Sequence, residues 1–230
     1  MISMPTASAD HTTWADAEPC LAVDAALNFQ SALKTGDAAK LSSALQELHH
    51  LPATLASLLK SPFGGNGVSA LRSAMAAGHR ESVELLISAV DALRIKHGIW
   101  IREEASLLID AMRNDTLDHP CVFTPWLDAL KRSVDAGRMC AADVRQALTA
   151  TSTRFGASIR LWALDPGKGD RLRHWGALVA QAQARGLINA AEADRVLRGP
   201  DEVPLLRMLE RSGNPGALAA YSDALAAAKN

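Results

Sequence analysis

His79-Arg80-Glu81 followed by Pro120-Cys121 is the stretch of this sequence with the plainest chemical potential. An imidazole and a thiolate are zinc ligands, and a glutamate two residues beyond the imidazole can move protons at a metal-bound water. That chemistry calls for a second thiolate three residues after the first, and Thr124 stands there. A set short of one soft ligand holds zinc poorly, so no metal centre is expected. His49-His50 closes a helical run carrying Leu45 and Leu48. Neighbours on a helix point about 100° apart and make a poor chelating pair, whereas positive charge suits a helix C-terminus. Gly64-Gly65-Asn66-Gly67 and Asp165-Pro166-Gly167-Lys168-Gly169 have the glycines of a phosphate cradle. A phosphate loop also needs a glycine five residues before the Gly-Lys step and a hydroxyl after it, where Trp162 and Gly169 stand, so both stretches read as turns.

The thiols and the indoles add no reaction centre. Cys20, Cys121 and Cys140 are odd in number and far apart, which argues against a disulfide framework. Cys140, between Met139 and Ala141 at a helix start, is expected to be buried. Trp100, flanked by Ile99 and Ile101, reads as core packing, with anchoring of a partner as the alternative. No catalytic residue, metal or cofactor is therefore expected. Lys+Arg 24 nearly cancels Asp+Glu 25, without the basic face that phosphate neutralisation needs, so nucleic acid is not an expected partner.

What must position these side chains is helical. Aromatics make up 4% of the chain while Ala and Leu dominate its apolar residues, which favours closely packed helices over sheets. Met1 to about Pro19 lacks apolar periodicity and reads as a flexible leader (residues 1–20), with neither a basic start nor an apolar core for Sec export. No run of 18 apolar residues exists, so no membrane partner is expected. From residue 21 to 230 the chain reads as one helical domain. Apolar residues recur at helical spacing, and Gly36, Gly78, Gly137, Gly186 and Gly213 each end a run as a left-handed cap. Asp37 and Asn214-Pro215 then start the following helices.

The helical hairpins repeat. Setting Gly36 on Gly78 brings Phe29 onto Leu71, Ala32 onto Ala74 and Leu41 onto Val83. Trp126 through Gly137 and Cys140 to Leu148 likewise matches Trp175 through Gly186 and Asn189 to Leu197. The segment Gly67-Val68-Ser69-Ala70-Leu71-Arg72-Ser73-Ala74-Met75-Ala76-Ala77-Gly78-His79-Arg80-Glu81-Ser82-Val83-Glu84-Leu85-Leu86-Ile87 resembles an ankyrin repeat. Ser69 would cap the first helix, Gly78 would end it, and Val83, Leu85 and Leu86 would build the buried face of the second. Ala70 and Arg72 replace the family's Pro and His. Leu27 to Leu45 resembles a truncated copy, Ala105 to Asp115 a third first helix, and beyond about Asp115 the likeness is merely helical.

This resemblance implies an all-α solenoid of stacked helical hairpins, ankyrin-like over 25–115 and irregular over 116–230. Its function would be non-catalytic protein binding. Carried over position by position, it puts Gln30, Lys34, Arg72, Ser73 and Arg113 on a partner-binding groove, with Asn66 at a loop tip. The chain also resembles bacterial effectors that engage host proteins, which implies residence in the bacterial cytoplasm and delivery to a host independent of a signal peptide, with Met1 to Pro19 as the transport signal. Two other readings remain open: an adaptor, chaperone or immunity protein covering a cognate bacterial protein, and a helical-scaffold enzyme with dispersed catalytic groups.

Overall fold

The computed structural model describes residues 17–60, 68–99, 104–112, 115–149, 170–198, 210–211 and 215–227. Among these the chain is all-helical. Eleven α-helices follow one another: α1 (Ala17–Thr35), α2 (Ala38–Leu48), α3 (Pro52–Lys60), α4 (Ala70–Ala76), α5 (Arg80–His97), α6 (Glu104–Ala111), α7 (Phe123–Asp135), α8 (Ala141–Leu148), α9 (Asp170–Ala184), α10 (Ala190–Arg198) and α11 (Pro215–Ala227). Two 3-10 turns, Asp115–Asp118 and Pro120–Val122, join α6 to α7. None of the described helices is long and apolar enough to cross a membrane.

The helix boundaries follow from local chemistry. Gly36, Gly78, Gly137 and Gly186 all have positive φ, as their positions after apolar runs predict; Gly213 lies outside the described residues. At each of the four turns the next N–H reaches back five residues, from Asp37 to Ala32 O, His79 to Ala74 O, Arg138 to Ser133 O and Leu187 to Ala182 O. These bonds cover carbonyls that the ending helix leaves open. New helices then start on side-chain caps: Lys40 N–H donates to Asp37 Oδ1 at 2.9 Å and Arg72 N–H to Ser69 Oγ at 3.2 Å. The matched positions Cys140 and Asn189 both head capping boxes, closed by Asp143 and Glu192.

The described elements refine the sequence pattern at two places and correct one expectation. Helix α1 spans Ala17–Thr35 and takes Pro19 into its first turn, where a missing N–H costs nothing because that group has no intrahelical acceptor. Cys140 is exposed: an N-cap residue sits at the surface, and its neighbour Met139 is the one that is buried. Helix α6 covers the start of the stretch from Ala105 to Asp115, and Asp115 opens a 3-10 turn.

The helices pack in two rows. Helices α1, α4, α6, α8 and α10 touch in succession, and so do α2, α5, α7, α9 and α11, while α3 wedges against α2, α4 and α5. Residues matched between the first two pairs share one fate, with Phe29, Leu71, Ala32, Ala74, Leu41 and Val83 all buried. Later pairs repeat a polar device. Trp126 Nε1–H on α7 donates to Leu108 O in the last turn of α6 (2.9 Å), Trp175 Nε1–H on α9 to Leu148 O at the end of α8 (3.1 Å), and Tyr221 Oη–H on α11 to Leu197 O near the end of α10 (3.3 Å). In each pair a buried ring thus satisfies a carbonyl that the shorter helix cannot.

Charged side chains tie neighbouring pairs together. Arg171 of α9, 7% exposed, grips both carboxylate oxygens of Asp118, and His174 Nδ1 lies 2.7 Å from Leu117 O. Arg145 pairs with Glu192, and Arg185 with Asp128 at 3.0 Å. Asp91 accepts from Arg94 at 2.9 Å and from Arg132 of the next pair at 3.2 Å.

Candidate docking cleft

Because α2 and α5 are neighbouring members of one row, their C-terminal ends lie together, and both ends are basic. Helix α2 stops at Leu48, with His49 as its cap residue and His50 beyond; α5 carries Lys96 and His97 in its last turn before Gly98 turns left-handed. The His49 and His97 rings meet edge to face with centroids 4.9 Å apart, and the His50 ring lies 6.3 Å from that of His49. Two helix ends, each equivalent to about half a negative charge, attract such groups. The sequence accounts for His49-His50 at the end of α2; the structure adds His97 and Lys96 from a distant stretch of chain.

This basic end closes a cleft of about 380 Å³ between α2, α3 and α5. Leu45, Leu55, Leu85, Ala89 and Ala92 form its floor, Ser42, Gln46 and Ser88 its rim. No acidic side chain is among the described residues that line it, and His49, His50, Lys96 and His97 form no ion pair with a described carboxylate. Removal from water, followed by the charge of Lys96 and the nearby His97 and His50, holds the His49 imidazole below its usual pKa.

A second cleft, of about 250 Å³, lies between α5 and α7, and its charges are already spent on one another. Arg80 pairs with Glu84 at 2.9 Å, Arg132 with Asp91, and Asp128 with Arg185. Paired charges offer a ligand little, so the first cleft is the better candidate.

The residues expected to bind a partner lie elsewhere. Gln30 and Lys34 are exposed on α1, on the same stripe as Val23 and Leu27, each 58% exposed. Arg72 and Ser73 are half-buried on α4. Asn66, Arg113, Trp100 and both glycine loops lie outside the described residues. His79 covers the Gly36 turn, and Cys121 Sγ lies 3.5 Å from Gly78 O. Among the described residues no group of three His, Cys, Asp or Glu is placed to hold a metal ion.

No family model, curated protein or solved structure matches the chain. Its site is therefore read from geometry alone. The pairing of a histidine-bearing helix end with a second one 48 residues later was in the sequence as two separate basic C-termini, His49-His50 and Arg94 to His97. Only the row packing of α2 on α5 makes them one cluster.

The shifted imidazole has a consequence for stability. A histidine whose folded pKa lies below its unfolded value of about 6.5 binds protons more readily in the unfolded chain. Its contribution is intact above that value and is lost as pH falls through it toward the folded pKa. Melting temperatures at about pH 7.5 and about pH 5.5 are expected to show a smaller acid-induced drop for His49→Gln than for the native chain. An equal drop in both would show that His49 is not its source.

Proposed function

We propose that this chain is a non-catalytic protein-binding module: a solenoid of stacked helical hairpins, ankyrin-like over 25–115 and irregular over 116–230, that engages another protein through the cleft between α2, α3 and α5. One observation carries this reading. The cleft is open to solvent, floored by aliphatic side chains and closed at one end by basic groups that no described carboxylate neutralises. An aliphatic floor favours a partner's side chains over water at about 25 cal/mol per Å² covered, and the basic end supplies direction. The two-row packing supports the repeat reading, because each pair touches only its neighbours along most of the stack. The exposed α1 stripe with Gln30 and Lys34, and the α4 positions Arg72 and Ser73, would form a separate first-row face.

The partner is a host protein if the chain is an effector, and a cognate bacterial protein if it is an adaptor, chaperone or immunity protein. Affinity capture from eukaryotic and bacterial lysates, with the native chain beside Ala92→Phe and Lys96→Glu, tests both points. A protein retained by the native chain and lost with both variants is the expected result, and the lysate that yields it chooses between the two partner classes. Retention indifferent to both variants would end the assignment to this cleft.

A further inference from the structure

The cleft's chemistry also specifies its occupant. Its volume of about 380 Å³ accommodates a few apolar side chains and not a folded domain, so what enters is one face of a short segment. The charge at its end can be counted. The two helix C-termini together amount to about one negative charge, which Lys96 alone balances. Arg94, on the same turn of α5, is committed to Asp91. His49, with the His50 and His97 rings beside it, therefore adds a charge that nothing at the cleft offsets, and adds it only when protonated.

We infer that the cleft takes an acidic amphipathic segment of a partner protein, with its aliphatic side chains on Leu45, Leu55 and Leu85 and its carboxylates against His49, His50 and Lys96. This rests on the reading of the chain as a protein-binding module. The groups facing His49 are Lys96 and His97 from α5 and His50 beside it; α3 brings Leu55 to the cleft. All of the charged neighbours are basic, so a bound carboxylate makes protonation of His49 easier, and by linkage protonation strengthens binding. Glutamate, with a free pKa of about 4.3, stays mostly ionised down to about pH 5.5, so between neutrality and that value the change of charge falls on the cleft. Binding tightens as pH falls.

The test uses the full chain and two synthetic helical peptides with the same leucine face, one flanked by glutamates and the other by lysines, followed by fluorescence anisotropy. At about pH 5.5 the glutamate peptide is expected to bind roughly tenfold more tightly than the lysine peptide, and about fivefold more tightly than it does itself at about pH 7.5. Lys96→Glu removes the preference, His49→Gln removes most of the pH dependence, and Ala92→Phe weakens the glutamate peptide at both pH values. Equal affinity for the two peptides overturns the inference, as does a preference untouched by Lys96→Glu. A dimer that Ala92→Phe dissolves, or peptide binding that emerges only after removal of residues 1–16, would assign the cleft to a second copy or to the chain's own start, and would overturn it too. If a lysate partner depends on the cleft while the glutamate peptide shows no preference, the module reading stands and this inference alone falls.

Discussion

Replacing Trp126 or Trp175 by Ala is expected to lower the free energy of unfolding by about 3–5 kcal/mol each. Both rings are fully buried, on α7 and α9, so their removal opens cavities that the surrounding helices fill only in part. Domains of this kind are stable by about 5–15 kcal/mol in total, so the loss is a large fraction and some Ala chains will not accumulate. The Phe variants keep the test usable. Trp→Phe retains most of the ring but removes the N–H that reaches Leu108 O or Leu148 O, leaving a last-turn carbonyl without its donor at a cost of about 1–3 kcal/mol. Tyr221→Phe, whose hydroxyl sits 3.3 Å from Leu197 O, should cost about 1 kcal/mol. Urea unfolding followed by circular dichroism reads all of these. A Trp126→Phe chain that unfolds at the native midpoint would mean that the indole bond adds nothing beyond packing.

The Trp126 and Trp175 device illustrates how far the sequence could be read. Trp126 and Trp175 stand at matched positions of two similar segments, and Gly137 and Gly186, Cys140 and Asn189, Leu148 and Leu197 follow in step. That similarity was visible because turn and cap chemistry is local: a glycine after an apolar run, then a capping position, then an amphipathic run. Tyr221 extends the series, but it lies beyond Gly213 in a segment with different spacing, so only its bond to Leu197 O reveals the kinship. Gly98 also adopts the left-handed cap conformation, yet the Ile99-Trp100-Ile101 run after it reads as a continuing apolar stretch and hides the break.

Contacts between pairs were not legible, because periodicity says which face is buried and not what buries it. His79 occupied a recognisable place after the helix-ending Gly78, but its ring rests on Gly36, 43 residues earlier. His119 stood outside every pattern and plays the same part toward Gly78. The docking cleft is a further case. Leu45 and Leu85 read as ordinary core positions, and both remain half-buried because α3 sits beside α2 and α5 without filling the space between them. The placement of one short helix thus decides whether apolar positions become core or line an open cleft, and nothing in the residues themselves marks the difference.

The imidazole contacts predict a graded response to one methyl group. Gly36→Ala and Gly78→Ala each place a side chain at positive φ, which costs about 1–2 kcal/mol anywhere. At Gly137 and Gly186 a Cβ would meet nothing within 4 Å, so Ala there should cost only that amount. At Gly36 the new carbon would come within 2.8 Å of three atoms of the His79 ring, and the ring must swing away. At Gly78 it would lie 2.5 Å from Nδ1, 2.7 Å from Cγ and 3.1 Å from Cβ of His119. The obstruction at Gly78 reaches close to the His119 backbone, where rotation of the ring relieves less, so Gly78→Ala should be the worst of the four at about 3 kcal/mol. A second substitution separates strain from collision. His79→Ala should recover part of the loss caused by Gly36→Ala while leaving that of Gly186→Ala unchanged, a non-additivity that a double-mutant cycle measures directly. If all four glycines respond alike, the turns matter only for their own backbone. If Gly36 and Gly78 stand apart, each turn is also the seat on which the next helix pair is placed, and the stacking that brings α2 beside α5 depends on glycine at both.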